Sequence, residues 1–450
     1  MSLSKNIFNK IFLKLSYLST NKYTENTYWL LAERIIRISI NLFITIYLVR
    51  YLGPQKFGLL SYAISYFSIF SSFASLGLDN ILVRELVSDA DKKNLLLGTS
   101  IYLRLIAASA TILLVMIAIL VTGEDFLTSI LIISISSSVI FQSFNVIDYY
   151  FQAMVQSKYV VYSQFVSLII ASVVKILLIY YKANLIYFAI TITLESILLA
   201  LGLYFIYKKY NFGKLNWQFS YEVSKKLLKD SFPLILSSIV IAVYMKIDQI
   251  MIKKMLTDSE LGFYASAVKV CESFYFIPMA LTNSVFPAII NAKKKGEKFY
   301  KIRLQQLYNS VTWISIGITI PITIFAPQII TSLYGEKFIS ASPVLQIYIW
   351  STVATFLGVA SSQFLIAENF TKISFYRTLI GMITNVVLNF ILIPRIGIIG
   401  SAIATLISYS AATFSLVLWK DTYKQIIMMI KAVFLISIID YWKNRKELSR

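Results

Sequence analysis

The sequence predicts an all-α polytopic membrane protein of about twelve transmembrane helices, arranged as two six-helix lobes around a central cavity. Composition points there first. Of 450 residues, 58% are apolar and 14% charged, and the mean hydropathy is +0.72. A soluble domain carries about 25% charged residues. With lipid as solvent, each spanning segment must satisfy its own backbone hydrogen bonds as a helix. The second observation is a series of apolar runs, each long enough to cross ~30 Å of hydrocarbon. The third is the placement of positive charge between them.

The runs fall at 27–49, 58–78, 96–122, 126–147, 159–181 and 185–207, then at 232–252, 261–290, 307–330, 343–367, 375–393 and 396–419. Numbering the loops alternately, the segments on the side of the N-terminus hold most of the 42 Lys and Arg, and the opposite loops only a few. The positive-inside rule then puts both termini in the cytoplasm. It also accounts for the net charge of +20 without any nucleic-acid partner. The expected organisation is a cytoplasmic interfacial helix over 1–26, an N-lobe over 27–208, a basic cytoplasmic linker over 209–231, a C-lobe over 232–420 and an interfacial tail over 421–450. In 1–26, Leu3, Ile7, Ile11 and Leu15 recur at helical spacing among lysines, the pattern of a helix lying in the membrane surface. Within the tail, 426–439 is apolar but short and contains Lys431. Lying on the membrane suits it better than a thirteenth span, which would carry the last basic residues outside. Two basic stretches, 208–229 and 293–303, are read as topology determinants attracted to anionic lipid.

An internal repeat relates the two halves. Arg50-Tyr51-Leu52, Phe57-Gly58-Leu59 and Ala63 align without gaps on Lys254-Met255-Leu256, Leu261-Gly262-Phe263 and Ala267, at an offset of 204 residues. Six spans separate the copies, so they share orientation, as in a parallel repeat about an axis along the membrane normal. Gly53 and Pro54 mark a turn between the first two spans. Pro278 and Pro321 favour kinks in spans eight and nine.

Several function classes are excluded or left without support. There is no histidine, so no His-based acid–base chemistry or His metal site. The lone Cys271 cannot form an intrachain disulfide, and no phosphate-binding G-x-x-x-x-G-K-[ST] run is present. Neither cofactor nor metal is expected, and the chain does not read as an enzyme.

Ionisable residues inside spans are costly and mark pathways or partners. The cations are Arg34, Arg37, Arg104, Lys175, Lys246 and Lys269; the acids are Glu33, Glu195, Asp248 and Glu272. Glu33 with Arg37, and Lys269 with Glu272, have the spacing of same-face pairs. Lys246 and Asp248 are two apart, so each needs a partner on another helix. Arg34 and Arg37 share a face and repel unless an anion lies between them, and a guanidinium is well suited to hold phosphate in two-pronged fashion. Two readings stand: a cationic cavity for a phosphate-bearing substrate, or structural ion pairs and side chains reaching to the interfaces.

Tyr51-Leu52-Gly53-Pro54-Gln55-Lys56-Phe57-Gly58-Leu59, Leu76-Gly77-Leu78-Asp79 and Arg84-Glu85 resemble the N-terminal half of bacterial polysaccharide-unit flippases. These are the Wzx-type O-antigen transporters of the multidrug/oligosaccharidyl-lipid/polysaccharide exporter superfamily. Asp248-Gln249, Leu261-Gly262-Phe263-Tyr264-Ala265, Phe286-Pro287, Tyr334-Gly335, Asn385, Asn389, Pro394 and Gly397 extend the likeness into the second half. The resemblance implies translocation of undecaprenyl-pyrophosphate-linked oligosaccharide units from the inner to the outer leaflet of the bacterial inner membrane. It implies basic residues on spans one and eight near the pyrophosphate, where Arg34, Arg37 and Lys269 lie, and a titratable acid for coupling among Glu33, Glu195, Asp248 and Glu272. Membrane lipids, a polysaccharide polymerase and a chain-length regulator are the partners it implies. A drug exporter of the same superfamily, a membrane polymerase or glycosyltransferase, and a scaffold remain as alternatives.

Overall fold

The computed structural model describes residues 22–210 and 217–434. The helix expected over 1–26 falls almost wholly outside them, as does the tail beyond 434. Seventeen α-helices follow one another among the described residues, with no strand. They are α1 (Lys22–Ser75), α2 (Asp79–Ser88), α3 (Lys93–Thr122), α4 (Phe126–Ser136), α5 (Ser138–Gln142), α6 (Val146–Ala153), α7 (Lys158–Tyr180), α8 (Leu185–Tyr210), α9 (Tyr221–Met255) and α10 (Asp258–Glu272). Then come α11 (Phe276–Lys295), α12 (Glu297–Ile324), α13 (Ala326–Tyr334), α14 (Ser342–Tyr348), α15 (Ser351–Ala367), α16 (Thr371–Phe414) and α17 (Tyr423–Val433).

Nine helices among the described residues are long and apolar enough to cross a membrane, or ten with the bent pair Glu336–Tyr348 and Ser351–Ala367 taken as one span. Two of them are doubled. α1 has 54 residues; unbroken, at ~1.5 Å per residue, it would be about 80 Å long, more than twice the hydrocarbon thickness. It breaks at Gly53, whose backbone is non-helical, with Pro54 following. The 44-residue α16 breaks at Ile396 and Gly397. There Asn385 Nδ2 donates to Ser408 Oγ at 3.1 Å. In a straight helix those residues would stand roughly 35 Å apart, so α16 is a hairpin of two antiparallel arms. Gly397, at φ 63° and ψ −145°, occupies a conformation that side chains with a Cβ avoid. Counting both doubled helices as two passes brings the number among the described residues to twelve.

The outer surface is that of a lipid-solvated protein. Leu120, Val121 and Phe126 are 81%, 81% and 82% exposed at one end of the α3–α4 pair, an arrangement that favours hydrocarbon over water. Local chemistry places the turns. Gly123 ends α3 in the left-handed conformation, and the Asp125 carboxylate caps α4 by accepting from the Thr128 amide at 3.1 Å. Thr257 and Glu260 form a reciprocal capping box at the start of α10. Span eight is broken rather than bent: α10 ends at Glu272 and α11 begins at Phe276, with Pro278 in its first turn, where a missing N–H costs nothing.

The chain divides into two compact units. Unit one holds the described residues to Leu48 and Phe67–Ile239; unit two holds Val49–Tyr66 and the described residues from Val240. Unit one packs Leu82, Leu86, Leu97, Ile147, Phe151 and Tyr207 into its core. Unit two packs Leu304, Tyr308, Phe356, Leu357, Leu416 and Met429. α17, at eleven residues, is about 16 Å long and too short to cross; its Gln425 side chain accepts from the Tyr308 hydroxyl of α12 at 2.8 Å.

Inside unit two the repeat copies meet. A Cβ on Gly58 would overlap the Asp258 carbonyl, and a Cβ on Gly262 would overlap the Pro54 carbonyl. Adding the repeat offset turns Pro54 into Asp258 and Gly58 into Gly262, so this is one contact made twice, as a two-fold relation between the copies requires. Glycine is needed at both places because backbone meets backbone.

Candidate functional site

The in-membrane charges sort by unit. In unit one, α1, α7 and α8 bring four of them into one chain. Arg37 Nε is paired with Glu33 Oε1 one helical turn away, as the spacing predicts. Arg37 Nη1 lies 3.7 Å from Glu195 Oε1, and Lys175 Nζ lies 3.5 Å from Glu195 Oε2. Two cations and two acids thus balance across three helices. Arg34 stands outside this chain: it is exposed and makes no ion pair among the described residues. The two arginines therefore do not share an anion; Arg37 has carboxylates of its own.

Arg104 of α3 is buried elsewhere in unit one. Its Nη2 pairs with Asp79 at the start of α2 and reaches the Ser75 carbonyl at 3.2 Å and the Tyr149 hydroxyl at 3.5 Å. The guanidinium sits 5.2 Å from the Tyr149 ring centroid. A polar cavity of about 290 Å³ opens beside it.

In unit two, Lys246 of α9 bonds Glu272 of α10 at 2.8 Å, and Lys269 lies 4.0 Å from the other oxygen of Glu272. Asp248, two residues from Lys246, takes a different partner. It accepts from the Tyr264 hydroxyl and, at 2.7 Å, from the Gln249 amide. The Tyr264 hydroxyl is also 3.2 Å from Thr405 Oγ1. No Lys or Arg lies within ion-pair distance of this buried acid among the described residues.

Sequence reasoning missed two features. One is Asp79, which neutralises Arg104 from 25 residues away; its signal was the Leu76-Gly77-Leu78-Asp79 motif, quoted for resemblance and not for charge. The other is Arg377 of α16. It donates to Ser361 Oγ and Ser362 Oγ, each at 2.6 Å, and to the Gly358 carbonyl at 3.2 Å, all on α15. No carboxylate pairs with it among the described residues. It lies near the start of span eleven, where a short basic loop disguises it. No cluster that would hold a metal ion occurs among the described residues.

Comparison with known proteins decides the family. A model described as "polysaccharide biosynthesis protein" matches residues 23–293. The chain belongs to that family. A second model, MatE, matches residues 233–391. Family membership and fold together place the chain in the multidrug/oligosaccharidyl-lipid/polysaccharide exporter superfamily. Among curated relatives, a probable low-salt glycan biosynthesis flippase, Agl15 of Haloferax volcanii, is 27% identical over 198 residues, 43% of this chain and 41% of that protein. A probable flippase, AglR of the same organism, is 27% identical over 171 residues, 37% of this chain and 35% of that one. The matched stretch spans less than half the length of either relative. Among solved structures, the lipid II flippase MurJ in an inward closed conformation has a TM-score of 0.66 at 16% identity, covering 91% of this chain and 92% of its own. An inward-facing multidrug resistance MATE family transporter has the same score and identity, covering 88% and 96%. The fold of this family member is that of these polytopic transporters.

Proposed function

We propose that this family member is a flippase. In this reading it moves an oligosaccharide unit carried on undecaprenyl pyrophosphate from the inner to the outer leaflet of a bacterial inner membrane by alternating access. It supplies O-antigen or capsular and exopolysaccharide assembly, upstream of a polymerase and a chain-length regulator. The Lys and Arg bias puts both termini in the cytoplasm, the side on which the unit is made.

The observation that carries the reading is Arg34. It is a guanidinium in span one with no acid bound to it among the described residues, beside a balanced chain of four charges that leaves it available. Desolvating a pyrophosphate is costly without a fixed opposite charge, and an arginine fork matches phosphate geometry. A curated relative supports the same cargo class: Agl15 is named for glycan biosynthesis.

The test is reconstitution with a lipid-linked oligosaccharide, reading the appearance of sugar at the opposite leaflet with an impermeant glycosidase. Arg34→Gln should slow translocation by about 10- to 100-fold, the worth of a charge-assisted hydrogen bond, with the thermal midpoint unchanged. Wild-type rates in that variant sink the proposal.

A second reading is a cation-coupled drug exporter, favoured by the MatE match over 233–391 and by Asp248, a buried acid without a cation on it among the described residues. Transport of an organic cation, and indifference to the lipid-linked oligosaccharide, would establish it instead. Under either reading Asp248 is the coupling acid. Glu33, Glu195 and Glu272 are each held by a cation.

A further inference from the structure

The cavity beside Arg104 does not have Arg34 on its lining and belongs wholly to unit one. Ser75, Asp79, Arg104, Gln142, Asn145 and Tyr149 are among its lining residues, drawn from α1, α2, α3, α5 and α6 and the turn between the last two. Its volume, about 290 Å³, is at the lower edge of the ~300–1,000 Å³ typical of small-molecule sites, room for one ring and not for a chain of them.

Its charge is balanced. Arg104 is the cation on the lining and Asp79, half exposed, the acid paired with it. A bare anion would face Asp79, and a bare cation would face Arg104. The remaining polar groups lean toward acceptors. Ser71, Ser75 and Ser238 donate their protons to carbonyls three residues back on their own helices, at 2.9, 2.9 and 2.8 Å. Their oxygens are left to accept. Donors are fewer: the Asn145 carboxamide has no partner among the described residues, and Gln142 Nε2 reaches only Ser138 Oγ, at 3.2 Å. A ligand that suits this lining is neutral, ring-sized and rich in O–H groups, each of which both donates and accepts.

We propose that this cavity is a binding site for one neutral, polyhydroxylated sugar ring, with Asn145, Gln142 and the Arg104–Asp79 pair reading its hydroxyls. That the ring belongs to the transported unit rests on the flippase reading; the preference for a neutral sugar rests on the lining alone. The cavity adds a point of sugar selection on unit one, distinct from any contact to phosphate.

The test uses the full chain in lipid nanodiscs and saturation-transfer NMR. The probes are methyl glucoside, methyl galactoside and N-acetylglucosamine, with glucuronate and inorganic pyrophosphate as charged comparators. Arg104 is left alone because its burial makes its loss a folding risk. At least one neutral sugar should receive saturation, falling about fivefold in Asn145→Leu and in Gln142→Leu. Both variants should keep the wild-type melting profile, and Arg34→Gln should leave the sugar signal unchanged. Three results overturn the proposal: no saturation of any neutral sugar, equal saturation in the cavity variants, or stronger Asn145-dependent binding of glucuronate or pyrophosphate. The two proposals fail separately. Asn145-dependent sugar binding without translocation of lipid-linked oligosaccharide removes only the flippase; translocation without it removes only the cavity assignment.

Discussion

In unit one, Arg37 and Lys175 share Glu33 and Glu195, and Arg104 has Asp79. In unit two, Lys246 and Lys269 share the single Glu272, Asp248 is held by neutral donors, and Arg377 by neutral acceptors. The first pattern pairs each of these charges and leaves Arg34 outside them. The second leaves one acid and one guanidinium, Asp248 and Arg377, without an opposite charge among the described residues. Burying charge in a low-dielectric medium is costly, and pairing is how folds usually offset it. Paired charges mainly hold helices in register, whereas the charges left unpaired among the described residues, Arg34 in unit one and Asp248 and Arg377 in unit two, are open to other work. The contrast predicts a ranking of substitutions, in which loss of a shared partner harms the fold and loss of an unshared charge harms the work.

The largest effect on stability should come from Glu272→Gln, which strands Lys246 and Lys269 together. Removing one partner of a buried pair costs about 3–5 kcal/mol, and the low end applies because Glu272 is 22% exposed. Glu195→Gln should cost less, since Arg37 keeps Glu33 and the one cation stranded, Lys175, gives up a longer contact of 3.5 Å. Thermal unfolding in one detergent compares the two, and the reverse order would break the contrast between units.

Next in size is a loss of coupling with the fold retained. In Asp248→Asn the amide oxygen still accepts from Tyr264, so stability should stay within about 1 kcal/mol of wild type. Transport driven by an ion gradient should fall about tenfold, within the usual range of coupling energies, while downhill exchange persists. Equal losses of both would reduce Asp248 to a packing residue.

These residues also show how far the sequence carries. Same-helix pairs were legible because a helix puts i and i+3 or i+4 side by side: Glu33 with Arg37, and Lys269 with Glu272. That Lys246 and Asp248 must look elsewhere was legible for the same reason, but the identity of Glu272 and Tyr264 was not. Which helices meet depends on packing between spans, and in lipid that is decided by small residues and close backbone approach, with little trace in hydropathy. Arg104 with Asp79 was hidden likewise. The repeat was legible as a motif, yet its meaning needed coordinates, which put Gly58 against Asp258 and Gly262 against Pro54. Span number was legible from the charge bias, and the breaks at Gly53 and Gly397 separate two pairs of spans that follow each other with hardly a loop.

A sharper test of the contrast is Arg377→Met. Ser361 and Ser362 already donate to the Gly358 carbonyl, each at 2.9 Å, so removing the guanidinium leaves no hydroxyl proton without an acceptor. Exchanging an uncompensated charge for an apolar side chain of similar length should leave stability within about 1 kcal/mol of wild type or raise it. A fall of more than about 3 kcal/mol would make Arg377 the tie between α15 and α16, and unit two no less structural in its charges than unit one.

The smallest effect belongs to Lys269→Gln. Its side chain is 48% exposed and its ammonium lies 4.0 Å from Glu272, which keeps its shorter bond to Lys246. An ion pair this long and this solvated is worth about 0.5 kcal/mol or less, and the melting midpoint should hardly move. Translocation is where this variant informs. If Lys269 contributes to holding pyrophosphate from span eight, as the family resemblance implies, the rate should fall while the midpoint holds. If neither moves, the cargo's charge is met in unit one alone, and Arg34 carries that role without help from the second repeat.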